Sequence, residues 1–316
     1  MLGYRRRNSC PSSLVAPGAE RMVGTVEKLK EVIRSIGEAY TRGQRYARFR
    51  LTILRFRISW GGVMVEYGLL AGAAFAAGFV DAVVGGGGLI QIPALFSAMG
   101  GTPPATLLGT NKVASVFGTS AAAVNYARRT QIAWTTVAPA AIAAFLFAFL
   151  GAYTVTRIPP DFLRGLLPFV LLAVAVYTFY RKDLGSVHAP LHTGTKEKVL
   201  AVLVGAGIGF YDGFFGPGTG SFLVFLFVRS FGFDFLGASA AAKVVNVACN
   251  VAAILLFGFT GHIIWQLGLM MAVCQVVGSV LGTKLALRHG SEFVRRLFLV
   301  VVVLLIIKTG YDAWLK

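Results

Sequence analysis

Gly78-Phe79-Val80-Asp81-Ala82-Val83-Val84-Gly85-Gly86-Gly87-Gly88 is matched without a gap, 131 residues later, by Gly209-Phe210-Tyr211-Asp212-Gly213-Phe214-Phe215-Gly216-Pro217-Gly218-Thr219. The same offset pairs Lys112-Val113 with Lys243-Val244, Trp134 with Trp265, Phe162 with Phe293, Arg164 with Arg295 and Tyr180 with Tyr311. Apolar sequences agree by chance at Leu, Ala and Val, but not at Asp, Lys and Trp. The chain therefore reads as one unit written twice, and an internal repeat of this kind decides the architecture before any single element does.

Working outward, each copy has an apolar run that ends near its aspartate (Val65 to Val84, Val199 to Phe215), and then the glycine-rich break. A short apolar piece follows (Leu89 to Met99, Ser221 to Phe231), and then three further spans. These are Pro104 to Tyr126, Ile132 to Val155 and Phe162 to Tyr180, repeated as Leu236 to Phe259, Ile263 to Leu287 and Phe293 to Trp314. A helix needs about 20 apolar residues to cross roughly 30 Å of hydrocarbon. The short pieces fall below that length and are expected to be half-crossing segments that continue a broken helix. The expected fold is an all-α polytopic membrane protein with two homologous helical repeats of about four spans each.

Composition agrees. Of 316 residues 56% are hydrophobic and 14% charged, and mean hydropathy is +0.71, above what a soluble domain carries. The net charge of +17 is divided, because residues 1–63 hold 13 Lys+Arg and 4 Asp+Glu, a balance of 13 − 4 = +9, which leaves +8 for the rest. An excess of Arg flanking membrane spans is the positive-inside pattern rather than a nucleic-acid surface. With a cytoplasmic leader, four crossings per copy put Arg128, Arg129, Arg181, Lys182, Lys196 and Lys198 inside but Arg288, Arg295 and Arg296 outside. A five-crossing inverted repeat is the alternative.

The boundaries expected are a basic leader over 1–63, a first repeat over 64–182, an inter-repeat loop over 183–197 and a second repeat over 198–316. Val26, Leu29, Ile33, Ile36 and Tyr40 recur at helical spacing and suggest an amphipathic surface helix. A start at Met64 is the other reading of the leader. Cys10, Cys249 and Cys274 have no paired spacing, and His188, His192, His262 and His289 carry no ligand motif, so no metal or cofactor is expected.

Chemistry is expected where charge enters the spans. Asp81 and Lys112 in the first copy and Asp212 and Lys243 in the second each cost about 2.5–3.5 kcal/mol at a helix centre if unpaired. Lys112, Ser115 and Thr119 lie at i, i+3 and i+7, and Lys243, Asn246 and Asn250 repeat the spacing, so one polar stripe faces inward twice. Thr110 and Asn111 add polar groups before the first lysine. Gly86 and Gly87, with Gly218 and Thr219 opposite, lack the Gly-Lys-Ser/Thr of a phosphate loop. In a membrane such a run breaks a helix and turns backbone N–H groups toward a buried anion. Two blander readings are structural Asp–Lys pairs and glycines that serve close packing.

With Gly109-Thr110-Asn111-Lys112 and Pro93-Ala94-Leu95 added to the two glycine-rich stretches, residues 65–314 resemble the TauE/SafE sulfite exporter family. The resemblance implies a multi-pass transporter of the bacterial inner membrane that moves sulfite, organosulfonates or related small anions. On that reading Lys112, Lys243, Asn111, Ser115, Asn246, Asn250, Gly86, Gly87, Gly218 and Thr219 face the substrate, and Asp81 and Asp212 are counter-charges. The expected partners are the anion and the lipid bilayer, not nucleic acid. Proton or ion coupling and homo-oligomerisation are left open. An intramembrane enzyme is disfavoured by the absence of HExxH and GxSxG motifs, and a scaffold or receptor has no need of two buried charge pairs.

Overall fold

The structure is a computed structural model that describes residues 30–31, 34–35, 47–163, 165–166, 169–170, 173 and 194–314. It divides into a unit Met1–Val65 and a larger unit Glu66–Lys316, which holds every residue assigned a role above. Most of the amphipathic stretch in the leader, the inter-repeat residues 183–193 and most of the expected span from Phe162 to Tyr180 lie outside the described residues.

Among the described residues the regular elements are all helical: α1 Ala47–Val84, α2 Gly88–Ala98, α3 Pro104–Ala127, α4 Trp134–Arg157, α5 Thr195–Phe214, α6 Thr219–Phe231, α7 Phe235–Phe259 and α8 Trp265–Trp314. Local chemistry sets their ends. Pro104 occupies the first turn of α3, where its missing N–H costs nothing. The Asp234 carboxylate caps α7 by accepting from Leu236 N at 3.1 Å and Gly237 N at 3.3 Å. Gly232, left-handed at φ 74°, stops α6. The starts of α2 and α6, α3 and α7, and α4 and α8 are each 131 residues apart.

Among the described residues four helical stretches are long and apolar enough to cross a membrane: Val65–Val83, Trp134–Arg157, Phe235–Phe259 and Trp265–His289. Helix α3 has the length, at 24 residues, but its apolar character is diluted by Thr106, Thr110, Asn111, Lys112, Ser115 and Thr119. Four of them, Asn111, Lys112, Ser115 and Thr119, are the residues it carries to the site. Helices α2 and α6, of 11 and 13 residues, span roughly 17–20 Å at 1.5 Å per residue, too little to cross. The two spans expected over Ile263–Leu287 and Phe293–Trp314 run on as the single helix α8. Between them stands one breaker, Gly290, and a lone glycine costs only about 1 kcal/mol in a helix.

Packing crosses between the copies. Helix α4, from the first copy, lies on α5 and α7 of the second, while α8 of the second lies on α3 of the first. Gly278 and Gly282 of α8 also press against the backbone of Phe75 and Phe79 in α1. On α5 every fourth residue, Gly205, Gly209 and Gly213, faces every fourth residue of α4, Ala140, Ala144 and Ala148. A Cβ on Gly209 would stand 2.6 Å from the Ala144 Cα. Small residues at this spacing let backbones approach, which is how helices associate where no hydrophobic force separates protein from lipid. Two bundles result, α1, α2, α3 and α8 in one and α4, α5, α6 and α7 in the other.

The broken end of α1 is closed by side chains from elsewhere. A helix leaves its last carbonyls without intrahelical partners, and the buried Tyr126 hydroxyl donates to the Ala82 carbonyl at 2.9 Å. Tyr126→Phe is expected to cost about 1–2 kcal/mol, the price of leaving that acceptor bare. It should appear as a lowered thermal midpoint in detergent, and an unchanged midpoint would remove the hydroxyl from the closure of the break.

Candidate functional site

The two breaks meet. Gly85, at φ 82°, and its offset mate Gly216, at φ 90°, take the left-handed turn that lets each long helix stop and a short one begin. The Ser221 amide donates to the Gly85 carbonyl at 3.1 Å, joining the break in one copy to the short helix of the other. Around this junction is a cavity of about 20 Å³, room for about one water.

Three of the four intramembrane charges, Asp81, Lys112 and Asp212, line it, and the fourth, Lys243, is bonded to Asp81. Their pairing is crossed: Lys112 Nζ lies 2.5 Å from Asp212 Oδ2, and Lys243 Nζ lies 3.1 Å from Asp81 Oδ2. Each pair thus joins the lysine of one copy to the aspartate of the other. The Lys243 ammonium also donates to the Asp81 carbonyl, at the end of α1, where a helix carries its negative pole. All four residues are at least 94% buried, the most exposed being Asp81 at 6%. Two ammonium groups and two carboxylates leave the site formally neutral, and neither lysine presents a free charge to an incoming ligand.

Polar side chains complete the lining. Ser115, Thr119, Asn246 and Asn250 face the cavity at the spacing the stripe predicts. The Thr119 hydroxyl donates to Asp81 Oδ2 at 3.2 Å, and the Asn250 amide donates to Asn246 Oδ1 at 3.2 Å. Asn111 lines the cavity too, and its Oδ1 has no partner. Thr110 is used elsewhere: its hydroxyl oxygen accepts from Ile264 N at 3.0 Å, at the entry to α8.

The glycine assignments shift. Gly85, Gly88, Gly216 and Gly220 border the cavity, whereas Gly86, Gly87, Gly218 and Thr219 do not. Gly87 is a packing residue, since a Cβ there would fall 2.6 Å from the Ala77 carbonyl and 2.7 Å from the Asp81 Cβ. The Thr219 hydroxyl turns back to the Gly216 carbonyl at 2.9 Å. A glycine run does not reveal which of its members bends and which packs.

One lining side chain, Gln275 on α8, is not among those expected from the sequence. It is 1% exposed, and its Oε1 has no hydrogen-bond partner. An amide oxygen buried in that way costs about 1–3 kcal/mol. Its signal in the sequence is a single amide inside the otherwise apolar Leu269–Gly278, and it lies outside the repeated pattern.

A family model described as sulfite exporter TauE/SafE matches residues 70–309. A protein of a Sinorhizobium species named probable membrane transporter protein ORF9 is 40% identical over 240 residues, 76% of this chain and 90% of that protein. A probable membrane transporter protein of Haemophilus influenzae is 35% identical over 238 residues, 75% of this chain and 92% of its own length. The probable membrane transporter protein YfcA of Escherichia coli K12 is 34% identical over 246 residues, 78% and 90% of the two chains. No solved structure matches the chain.

Proposed function

Because the chain belongs to the TauE/SafE sulfite exporter family and is a multi-pass membrane transporter rather than an enzyme, we propose that it is a secondary transporter of a small anion of the sulfite or organosulfonate type. The observation that carries this reading is a single buried cavity lined by Lys112 and by the aspartates of both copies, with Lys243 bonded to one of those aspartates, Asp81. An oxyanion that enters takes the place of the Asp212 and Asp81 carboxylates on the two ammonium groups, so neither lysine is left bare in low dielectric. The released carboxylates then carry the excess negative charge. Proton uptake by them would restore neutrality and couple transport to a proton gradient.

Alternating access follows from the same crossed pairs. With α4 and α8 exchanged between copies, the bodies that rock are the two mixed bundles, not the two halves of the sequence. Each swing breaks the pairs on one side and closes them on the other. The α-helical spans suit the inner membrane of a bacterium.

Proteoliposomes loaded with labelled sulfite or with small labelled sulfonates test the proposal. Protein-dependent flux of at least one of these anions is expected. Vesicles no leakier than protein-free controls to every anion tried would overturn it and favour a scaffold in which the Asp–Lys pairs are structural.

A further inference from the structure

Two polar side chains of the cavity stand outside the repeat. The offset mates of Asn111 and Gln275 are Ala242 and Ala144, while every charge, and every member of the stripe beginning at a lysine, has a polar mate. Both amides belong to one bundle, on α3 and α8, which pack together. Each is more than nine-tenths buried, each lines the cavity, and each has a carboxamide oxygen without a partner.

Space has been made for Gln275. A Cβ on Gly118 would fall 2.7 Å from the Gln275 Cγ, and one on Gly78 would fall 2.8 Å from the same atom. In the other bundle the corresponding positions are Cys249 and Gly209, both set against Ala144. The fourth helix of a copy therefore seats against its neighbours with a methyl group alone, and packing does not account for the amide. A buried amide with an unmade hydrogen bond is unfavourable by itself, so its compensation is to be sought in a ligand.

We infer that Asn111 and Gln275 are specificity-determining residues: together they form an amide pole on one side of the cavity that reads a hydroxyl or other proton-bearing group on the bound anion. This rests on the anion reading above and extends it. A carboxamide has both donors and an acceptor. Its N–H groups serve the oxygens of any oxyanion, but its oxygen is satisfied only by a ligand that brings a proton. An anion made only of acceptors and methyl groups leaves both carbonyls bare, and a site built to hydrogen-bond a group discriminates against the analogue that lacks it.

Two pairs of monoanions of matched charge test this in proteoliposomes held at mildly acidic pH: hydrogensulfite against methanesulfonate, and 2-hydroxyethanesulfonate against ethanesulfonate. The native protein is expected to favour the proton-bearing member of whichever pair it carries by about tenfold in kcat/KM. Gln275→Met, which keeps the volume and removes the amide, should shrink that preference toward one without lowering the thermal midpoint. If Gln275→Met does not assemble, Asn111→Leu carries the same expectation. Native transport indifferent to the hydroxyl, or a preference that survives substitution, would overturn the inference and leave the anion reading standing. Failure to move any of the four anions would remove both.

Discussion

Lys243→Met is expected to destabilise the protein by about 3–5 kcal/mol and to abolish anion flux, because it strands the Asp81 carboxylate in a buried site with its partner gone. Lys112→Met should do the same to Asp212. The crossed geometry makes the rescue specific. Adding Asp81→Asn to Lys243→Met removes both members of one pair, and replacing a whole buried pair by neutral groups is often neutral or even stabilising. Stability should therefore return, while flux should not, since one ammonium is still missing. Adding Asp81→Asn to Lys112→Met instead breaks both pairs, stranding Asp212 on one side and Lys243 on the other, and should be worse than either single change. Thermal unfolding in detergent separates the cases. Equal rescue by both combinations would mean that the pairs are not crossed, and retention of flux in the doubly neutralised protein would take the lysine from the anion path.

The interlocking also bears on how the sequence reports the fold. Element types and their starts were legible because breakers are local: Pro104, Asp234 and the glycine runs act within a turn or two, and the offset fixes equivalent starts. The cavity was legible in part for the same reason, since Lys112, Ser115, Thr119, Asn246 and Asn250 sit on the helical period of the two stripes. Which aspartate each lysine meets was not. A repeat tells what is duplicated but not whether equivalent helices stay with their own copy or exchange, and that choice is made by the small-residue seam of Gly205, Gly209 and Gly213 on Ala140, Ala144 and Ala148. Gln275 was missed for the complementary reason, because it departs from the repeat. The continuity of α8 through Gly290 shows the limit of a weak breaker once flanking residues favour helix.

Gly85→Ala is the second change expected to act strongly, and it separates a bending glycine from a merely small one. The left-handed backbone at φ 82° costs a residue with a Cβ about 1–2 kcal/mol. The new methyl would also lie 2.6 Å from the Gly220 Cα and from the Ser221 nitrogen, both backbone atoms that no rotamer change can move. Overpacking of that kind adds about 1–3 kcal/mol, and relieving it means separating the breaks and losing the Ser221 to Gly85 hydrogen bond. Flux should fall with stability, because the same separation moves Asp81, four residues before the turn, away from Lys243. Gly72→Ala, in α1 with nothing within 4 Å of the added carbon, is the matched control and should be neutral or stabilising by up to about 1 kcal/mol through helix propensity. If Gly85→Ala behaved like Gly72→Ala, the junction between the two breaks could not be what holds the site closed. If it lost flux while keeping full stability, the turn would belong to the transport movement and not to the architecture.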